Sequence, residues 1–282
     1  MQLGKLTTII FDLDGTLYED QHHFAYYARQ LSQMLPSASR DAFIRDYRAA
    51  SQGRHPVQIG RVYDTGKDLV LVQIDNNLQE VYAWNGQTLP VDEHYSGPVA
   101  IDQARYISIG DPWWIPQSIA RHYGLSPVDC TRAFLQTREY MISPAFEMNP
   151  VPGFRETLLE LKTNLNLVLL TNSPQADSAI ILQKLGLDDV FDHMIFDGKK
   201  PRHTRRHFEE IRATFDTEIV NMLSVGDNYV NEIIPAWELG MPALFIDCHH
   251  TGHSRSADMV VGSIAELIPV FRGLLKHRNG NR

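Results

Sequence analysis

Cysteine is nearly absent: Cys130 and Cys248 are the only two in 282 residues. That excludes a disulfide framework and favours a reducing compartment. Basic charge is also short. Lys and Arg number 26 against 34 Asp and Glu, a formal net charge of −8. Such a balance argues against nucleic acid or an anionic membrane held by bulk charge, and leaves room for a local basic pocket. No apolar run approaches the roughly 18 to 20 residues that a membrane helix needs. The stretch from Met1 to Phe11 carries one lysine and runs straight into Asp12, which is not a signal-peptide pattern. There are no internal repeats and no low-complexity tract. The expectation is a soluble cytoplasmic protein. With 43% apolar and 21% charged residues the chain can bury a sizeable core, as one large domain or two ordinary ones.

What is present has a rhythm. Leu6 to Phe11 is a continuous β-prone run, suited to a strand buried on both faces. After Pro150, helical patterns of about ten residues alternate with short apolar strands. Helices are expected at Phe154–Lys162, Gln175–Leu185, His203–Thr214 and Val230–Leu239. Strands are expected at Leu165–Leu170, His193–Phe196, Ile219–Val225 and Ala243–Ile246. This alternation predicts an α/β fold with a doubly wound parallel sheet. The rhythm breaks between residues 19 and 149. Residues from about His23 to Ala50 read as helix, and helix returns from about Pro116 to Met141. Between them, about residues 57–91, four β-prone runs are separated by Asp64-Thr65-Gly66, Asp75-Asn76-Asn77 and Asn85-Gly86. That is the pattern of an antiparallel meander. The expected organisation is a core of residues 1–18 and 150–282, interrupted by an inserted α+β module of residues 19–149.

Four clusters carry chemistry, each after a predicted strand or in a loop between α/β units. Ligands of doubly wound sheets sit beyond the carboxyl ends of the strands, so these residues would meet there. Asp12-Leu13-Asp14-Gly15-Thr16 sets two carboxylates at i and i+2, which point the same way from an extended chain and repel unless a cation or proton intervenes. Hard oxygen ligands of this kind suit Mg²⁺; the ordinary alternative is an acidic turn. Thr171-Asn172-Ser173 could hold anionic oxygens, or cap a helix. In Lys199-Lys200-Pro201 a lysine could neutralise a phosphate, or the pair could be a solvated basic loop. In Gly226-Asp227-Asn228-Tyr229-Val230-Asn231-Glu232, Asp227 and Glu232 could complete a metal site, with Gly226 permitting close backbone approach. The alternative is acidic residues favouring a helix N-terminus.

All four in this order resemble the haloacid dehalogenase superfamily, over about Leu6–Tyr18 and Pro150–Asp247. The first and fourth motifs are specific; the other two add support through order and spacing. The resemblance implies a phosphatase-like enzyme that uses Mg²⁺ and an aspartyl-phosphate intermediate. It makes Asp12 the nucleophile and Asp14 the general acid and then base. Thr171 and Lys200 would hold phosphoryl oxygens. Asp12, the Asp14 backbone carbonyl and Asp227 would hold the metal, with Glu232 acting mainly through water. Thr16, Asn172 and Gly226 would support these groups. The following proline selects Lys200 over Lys199. The family often carries Asp where this chain has Glu232, which changes reach. Asp14 separates phosphatases from dehalogenases, whose leaving halide needs no proton. The expected partner is a small phosphorylated metabolite, with no nucleic acid and no membrane. A phosphomutase and a non-catalytic binding or regulatory protein are the alternatives.

The same resemblance makes the inserted module a cap that covers the site and selects substrate. Such caps are typically helical, and the meander departs from that pattern. It either extends the cap or pairs across a homodimer through an exposed edge. Trp113-Trp114 could face substrate, though adjacent tryptophans more often pack. Cys248-His249-His250 with His253, and His203 with His207, lack four zinc ligands at standard spacing. Gly60 to Lys67 mimics a phosphate-binding loop, but Asp68 stands where Ser or Thr is required. His22 and His23 read as surface histidines.

Overall fold

A computed structural model describes residues 3–74, 77–96, 105–253 and 255–280. The chain forms two compact units, Met1–Asp20 with Met141–Arg282, and Gln21–Tyr140.

In the first unit the β-prone start becomes the Thr8–Phe11 strand, buried along its length. It lies inside a six-stranded sheet whose order is Met259–Val261, Ala243–Ile246, Met222–Gly226, Thr8–Phe11, Asn166–Leu170, His193–Ile195. Every neighbouring pair is parallel. Alternation along the strand sends Ile10 into a cluster with Val168, Phe208, Ile211 and Phe245. Phe11 meets Phe191 and Phe271 edge-on at 6.1 and 5.8 Å. Both faces are therefore covered, as a parallel sheet requires. The expected helices form at Phe154–Lys162, Gln175–Leu185 and Thr204–Thr214, the second closing at left-handed Gly186. A last helix spans Ile264–Gly280.

Three details differ from expectation. The strand before the fourth motif starts at Met222, because Ile219–Asn221 is a 3₁₀ turn. Met259–Val261 is a further edge strand, too short to show periodicity in sequence. The helix expected at Val230–Leu239 opens with one π turn, Tyr229–Ile233, before α-helix at Ile234–Glu238. Pro235 lacks the N–H that an α-helix would aim at the Asn231 carbonyl, and Thr204 Oγ1 donates there instead at 3.0 Å.

Residues 141–149, assigned from sequence to the inserted module, group with this unit. Lys184 Nζ donates to the carbonyls of Met141, Ser143 and Phe146 at 2.6–2.8 Å. Asn149 donates to Asp20 from its backbone N–H at 3.0 Å and from Nδ2 at 2.6 Å.

The second unit joins helices to a five-stranded antiparallel sheet. Strand order is Thr88–Leu89, Asn77–Ala83, Leu69–Ile74, Val62–Asp64, Tyr106–Ser108. The sheet begins at Val62 rather than Val57, and Tyr106–Ser108 is an added strand paired with Val62–Asp64. Asn85-Gly86 makes the expected turn, with Gly86 at φ +89°. Asp75 and Asn76, read as a turn, lie outside the described residues. The helix expected from His23 to Ala50 is two, His22–Met34 and Ser37–Ser51, broken at Leu35-Pro36. His23 is buried rather than on the surface, its ring tilted against Trp113 at 4.9 Å. Trp113 also meets Phe24, Tyr27 and Phe134, so it packs in this unit's core. Among the described residues, no helix is long and apolar enough to cross a membrane.

Candidate active site

Sheet order assembles the site. Successive strands run outward from Thr8–Phe11 to one edge, and the chain then returns to lay Met222–Gly226 on its other side. In doubly wound sheets ligands bind where the strand order reverses, here beside Thr8–Phe11. Phe11 is in register with Leu169 on one side and Val225 on the other. Asp12, Thr171 and Asp227 therefore leave adjoining strands at nearly the same level. The Asp12 N–H donates to Val225 O at 3.1 Å, and the Thr171 N–H to Ile195 O at 3.0 Å. The third loop closes in turn, with the Gly198 N–H on Thr171 O at 2.9 Å.

Asp12, Asp227 and Glu232 are buried, and one carboxylate oxygen from each lies within 4.8 Å of the others. Lys200 Nζ sits among them, 2.7 Å from Asp12 Oδ1 and 2.6 Å from Glu232 Oε1. Its side chain is 2% exposed. Lys199, by contrast, is exposed at φ +52°. Asn172 fixes the Lys200 backbone from both sides. It accepts the Lys200 N–H at 2.6 Å and donates to the Lys200 carbonyl at 3.2 Å. The Lys200-Pro201 peptide is cis.

Two glycines admit this crowding. A methyl group on Gly15, at φ +77°, would lie 2.1 Å from Asp227 Oδ2. One on Gly226 would lie 2.5 Å from Glu232 Cγ. Gly226 thus admits the close approach of the Glu232 side chain. Gly15 is the point where the first and fourth motifs touch. Glu232 is drawn in by the π turn, a feature common at functional sites. Its Oε2 accepts the Asn228 N–H at 3.0 Å.

Asp12 and Asp14 take different partners. The Asp14 carboxylate accepts from Ser173 Oγ at 2.7 Å and from the Tyr18 hydroxyl. Thr171 Oγ1 accepts the Ser173 N–H at 3.0 Å, which leaves its own hydrogen to donate. Thr16 is buried, and its hydroxyl has no hydrogen-bond partner among the described residues. Ser173 stands in the second motif without a role of its own from sequence, and Tyr18 has none assigned. The available signals were their offsets, two after Thr171 and four after Asp14.

The electrostatics indicate a missing positive charge. Burial pushes the Asp12 carboxyl above its ordinary range; Lys200 opposes this, and Asp14 adds to it. Burial likewise raises Glu232 to about 8, against Lys200 and with Asp12. Burial disfavours the Lys200 ammonium, but Asp12 and Glu232 outweigh it and hold the amine above its usual range. One ammonium faces three buried carboxylates, and the excess is relieved by a proton or by a cation. Hard oxygen donors around such a deficit fit a divalent ion such as Mg²⁺. This is the only such acidic or metal-ligating group among the described residues.

The other sequence candidates are otherwise engaged. His207 uses Nε2 on the Gly198 carbonyl and Nδ1 on Glu210. His253 stacks on Tyr229 at 4.8 Å. In the loop resembling a phosphate cradle, the N–H groups of Gly66 and Lys67 bind the Asp64 carboxylate of the same loop.

The family model for haloacid dehalogenase-like hydrolases matches residues 6–236. No curated protein matches the chain. Among solved structures, a Haemophilus somnus protein described as a predicted phosphoglycolate phosphatase aligns at TM-score 0.53 and 16% identity, covering 94% of this chain and 98% of that one. A Thermotoga maritima protein assigned as a β-phosphoglucomutase gives TM-score 0.52 and 14% identity, covering 95% and 99%. YfnB of Bacillus subtilis, assigned as a HAD-hydrolase and solved bound to magnesium, gives 0.52 and 13% over the same shares. At these identities the likeness is one of fold.

Proposed function

The chain belongs to the haloacid dehalogenase-like hydrolases, and on that premise we propose that it is a Mg²⁺-dependent phosphatase of small phosphomonoesters. The observation that carries this reading is the meeting of Asp12, Asp227, Glu232 and Lys200 in one buried cluster beyond the strand ends.

Asp12, Asp227 and Glu232, with the Asp14 backbone carbonyl, are the groups proposed to hold the ion. When bound, it would neutralise charge between a carboxylate nucleophile and a phosphate dianion. The remaining chemistry belongs to side chains. Asp12 attacks phosphorus, forming a Cγ-carboxylate O–P bond as the bond to the leaving oxygen breaks. Asp14 gives its proton to that oxygen. It then takes a proton from the water that cleaves the aspartyl-phosphate and releases inorganic phosphate. Lys200 and the Thr171 hydroxyl hold the transferring phosphoryl oxygens, Lys200 as a point charge. Asn172 sets the Lys200 backbone.

The test is phosphate release from an aryl phosphate and a panel of phosphorylated metabolites with Mg²⁺. Activity is expected, and loss with EDTA or in Asp12→Asn. Full activity in that variant would refute the nucleophile assignment. Sugar-phosphate isomerisation without free phosphate would favour a mutase. No turnover of any ester would favour a binding protein.

A further inference from the structure

We propose that Ser173 and Tyr18 are positioning residues that hold the Asp14 carboxylate apart from the metal-binding carboxylates. The proposal rests on the reading of Asp14 as proton donor and acceptor. Four carboxylates serve this site, and chemically they are nearly alike. Three lie together with Lys200. The fourth, two residues from Asp12, must be kept for the leaving oxygen rather than drawn to the same cation.

The structure supplies a means. Each oxygen of Asp14 receives a hydroxyl: Oδ2 from Ser173 at 2.7 Å and Oδ1 from Tyr18. Both donors are buried, at 4% and 1% exposure. Both are also anchored. The Ser173 N–H bonds to Thr171 Oγ1 at 3.0 Å, and its carbonyl accepts the Asp197 N–H at 3.1 Å. Tyr18 forms a backbone bridge with Asp14 itself. Ser173 thereby links the hydroxyl proposed to grip phosphate with the carboxylate proposed to move the proton.

Hydroxyls suit this task better than ammonium or guanidinium groups. A hydroxyl donates to a carboxylate and accepts from a carboxylic acid after a simple rotation. Asp14 can therefore stay in one place as it loses and regains a proton. A lysine in the same position could not accept, and would compete with Lys200 for the carboxylates.

The test compares wild type with Tyr18→Phe, Ser173→Ala and Ser173→Thr. The substrates are p-nitrophenyl phosphate, whose leaving group needs little protonation, and an alkyl phosphate, whose alkoxide must be protonated. For Ser173→Ala and Tyr18→Phe, kcat/KM on the alkyl ester should fall about 10²-fold, the lower range for general acid catalysis. On the nitrophenyl ester it should change by about threefold or less, and Ser173→Thr should restore the alkyl rate. Equal losses on both esters, or none, would overturn the proposal. Crystal structures of wild type and both variants give a readout free of activity. Asp14 should turn from its present place toward Lys200; a carboxylate unmoved in both variants refutes the assignment. If Tyr18→Phe does not fold, Ser173→Ala carries both arms. Should wild type cleave neither ester, the phosphatase reading fails, and the crystallographic arm still decides what holds Asp14.

Discussion

Replacing Lys200 by methionine removes a charge while keeping an unbranched apolar stem. In the native site the ammonium lies 2.7 Å from Asp12 and 2.6 Å from Glu232, with its side chain 2% exposed. The variant leaves two buried carboxylates facing Asp227 with no cation. Removing one partner of a buried pair destabilises by about 3–5 kcal/mol. The loss should depend on pH, because the carboxylates can take up protons. Glu232 is already raised to about 8 by burial, and loss of the lysine raises it further. A carboxyl whose folded pKa exceeds its unfolded value keeps its proton in the folded state after the unfolded chain has lost its own. Stability then falls as pH rises from the unfolded value, near 4.5, toward the folded one. Below about pH 8 Glu232 keeps its proton in both proteins. Lys200→Met should therefore lie nearer wild type at about pH 5 than at about pH 8.5, its deficit opening as pH rises through about 8 toward the full value of about 3–5 kcal/mol above the variant's higher pKa. At about 2–4 °C per kcal/mol, that is roughly 6–20 °C in the melting temperature of the catalytic unit. Scanning calorimetry at both pH values, in EDTA and in Mg²⁺, measures it. Mg²⁺ should recover part of the loss at pH 8.5, since it supplies the positive charge the lysine gave. A deficit that is the same at both pH values and indifferent to Mg²⁺ would refute the account of this site as short of positive charge.

Other consequences follow from single contacts. Asp12→Asn should reduce phosphate release by about 10⁴-fold or more, the scale of losing a nucleophile. Acid-quenched wild type should carry label from a ³²P-ester and the variant none; equal labelling would place the nucleophile elsewhere. Gly15→Ala should lose Mg²⁺-dependent activity, because its methyl group would meet Asp227 at 2.1 Å; isothermal titration should show Mg²⁺ affinity falling in parallel. In the other unit, Asp64 is buried and receives Arg105 Nε and Nη2 at 2.8 and 2.7 Å, the Tyr95 hydroxyl at 2.6 Å and two backbone N–H groups. Burial alone would raise the Asp64 carboxyl, but these donors, Arg105 foremost, hold it below its ordinary range. Its stabilisation is thus present above about pH 4 and lost as pH falls through the lower folded value. Arg105→Ala should destabilise this unit, and by less than loss of Asp64 itself, since the other donors remain. Trp84, Trp113 and Trp114 all lie in that unit, so tryptophan fluorescence in urea reads the change.

The extent to which the chain could be read in advance follows from the range of its interactions. Leu6 to Phe11 announces a doubly covered strand because every side chain in it is apolar. The helices at Phe154, Gln175 and Thr204 are visible because a 3.6-residue period is local. Tyr106–Ser108 and Met259–Val261 are not visible, since three residues show no period and each strand exists through its neighbour. His23 looked like a surface residue because polarity is read one residue at a time. In the fold it is enclosed by aromatic rings.

The same division runs through the site. Which residue types stand after which strands is written in the linear order, from Asp12 through Thr171 and Lys200 to Asp227 and Glu232. That order sufficed to point to the family. The fold decided the partnerships. Asp14 reaches Ser173 across 159 residues, and Glu232 enters the acidic cluster through a π turn. Gly15 is required by a carboxylate from the fourth motif. Chemical identity is a property of each residue alone, but proximity depends on sheet order and register, which arise only when distant strands pair.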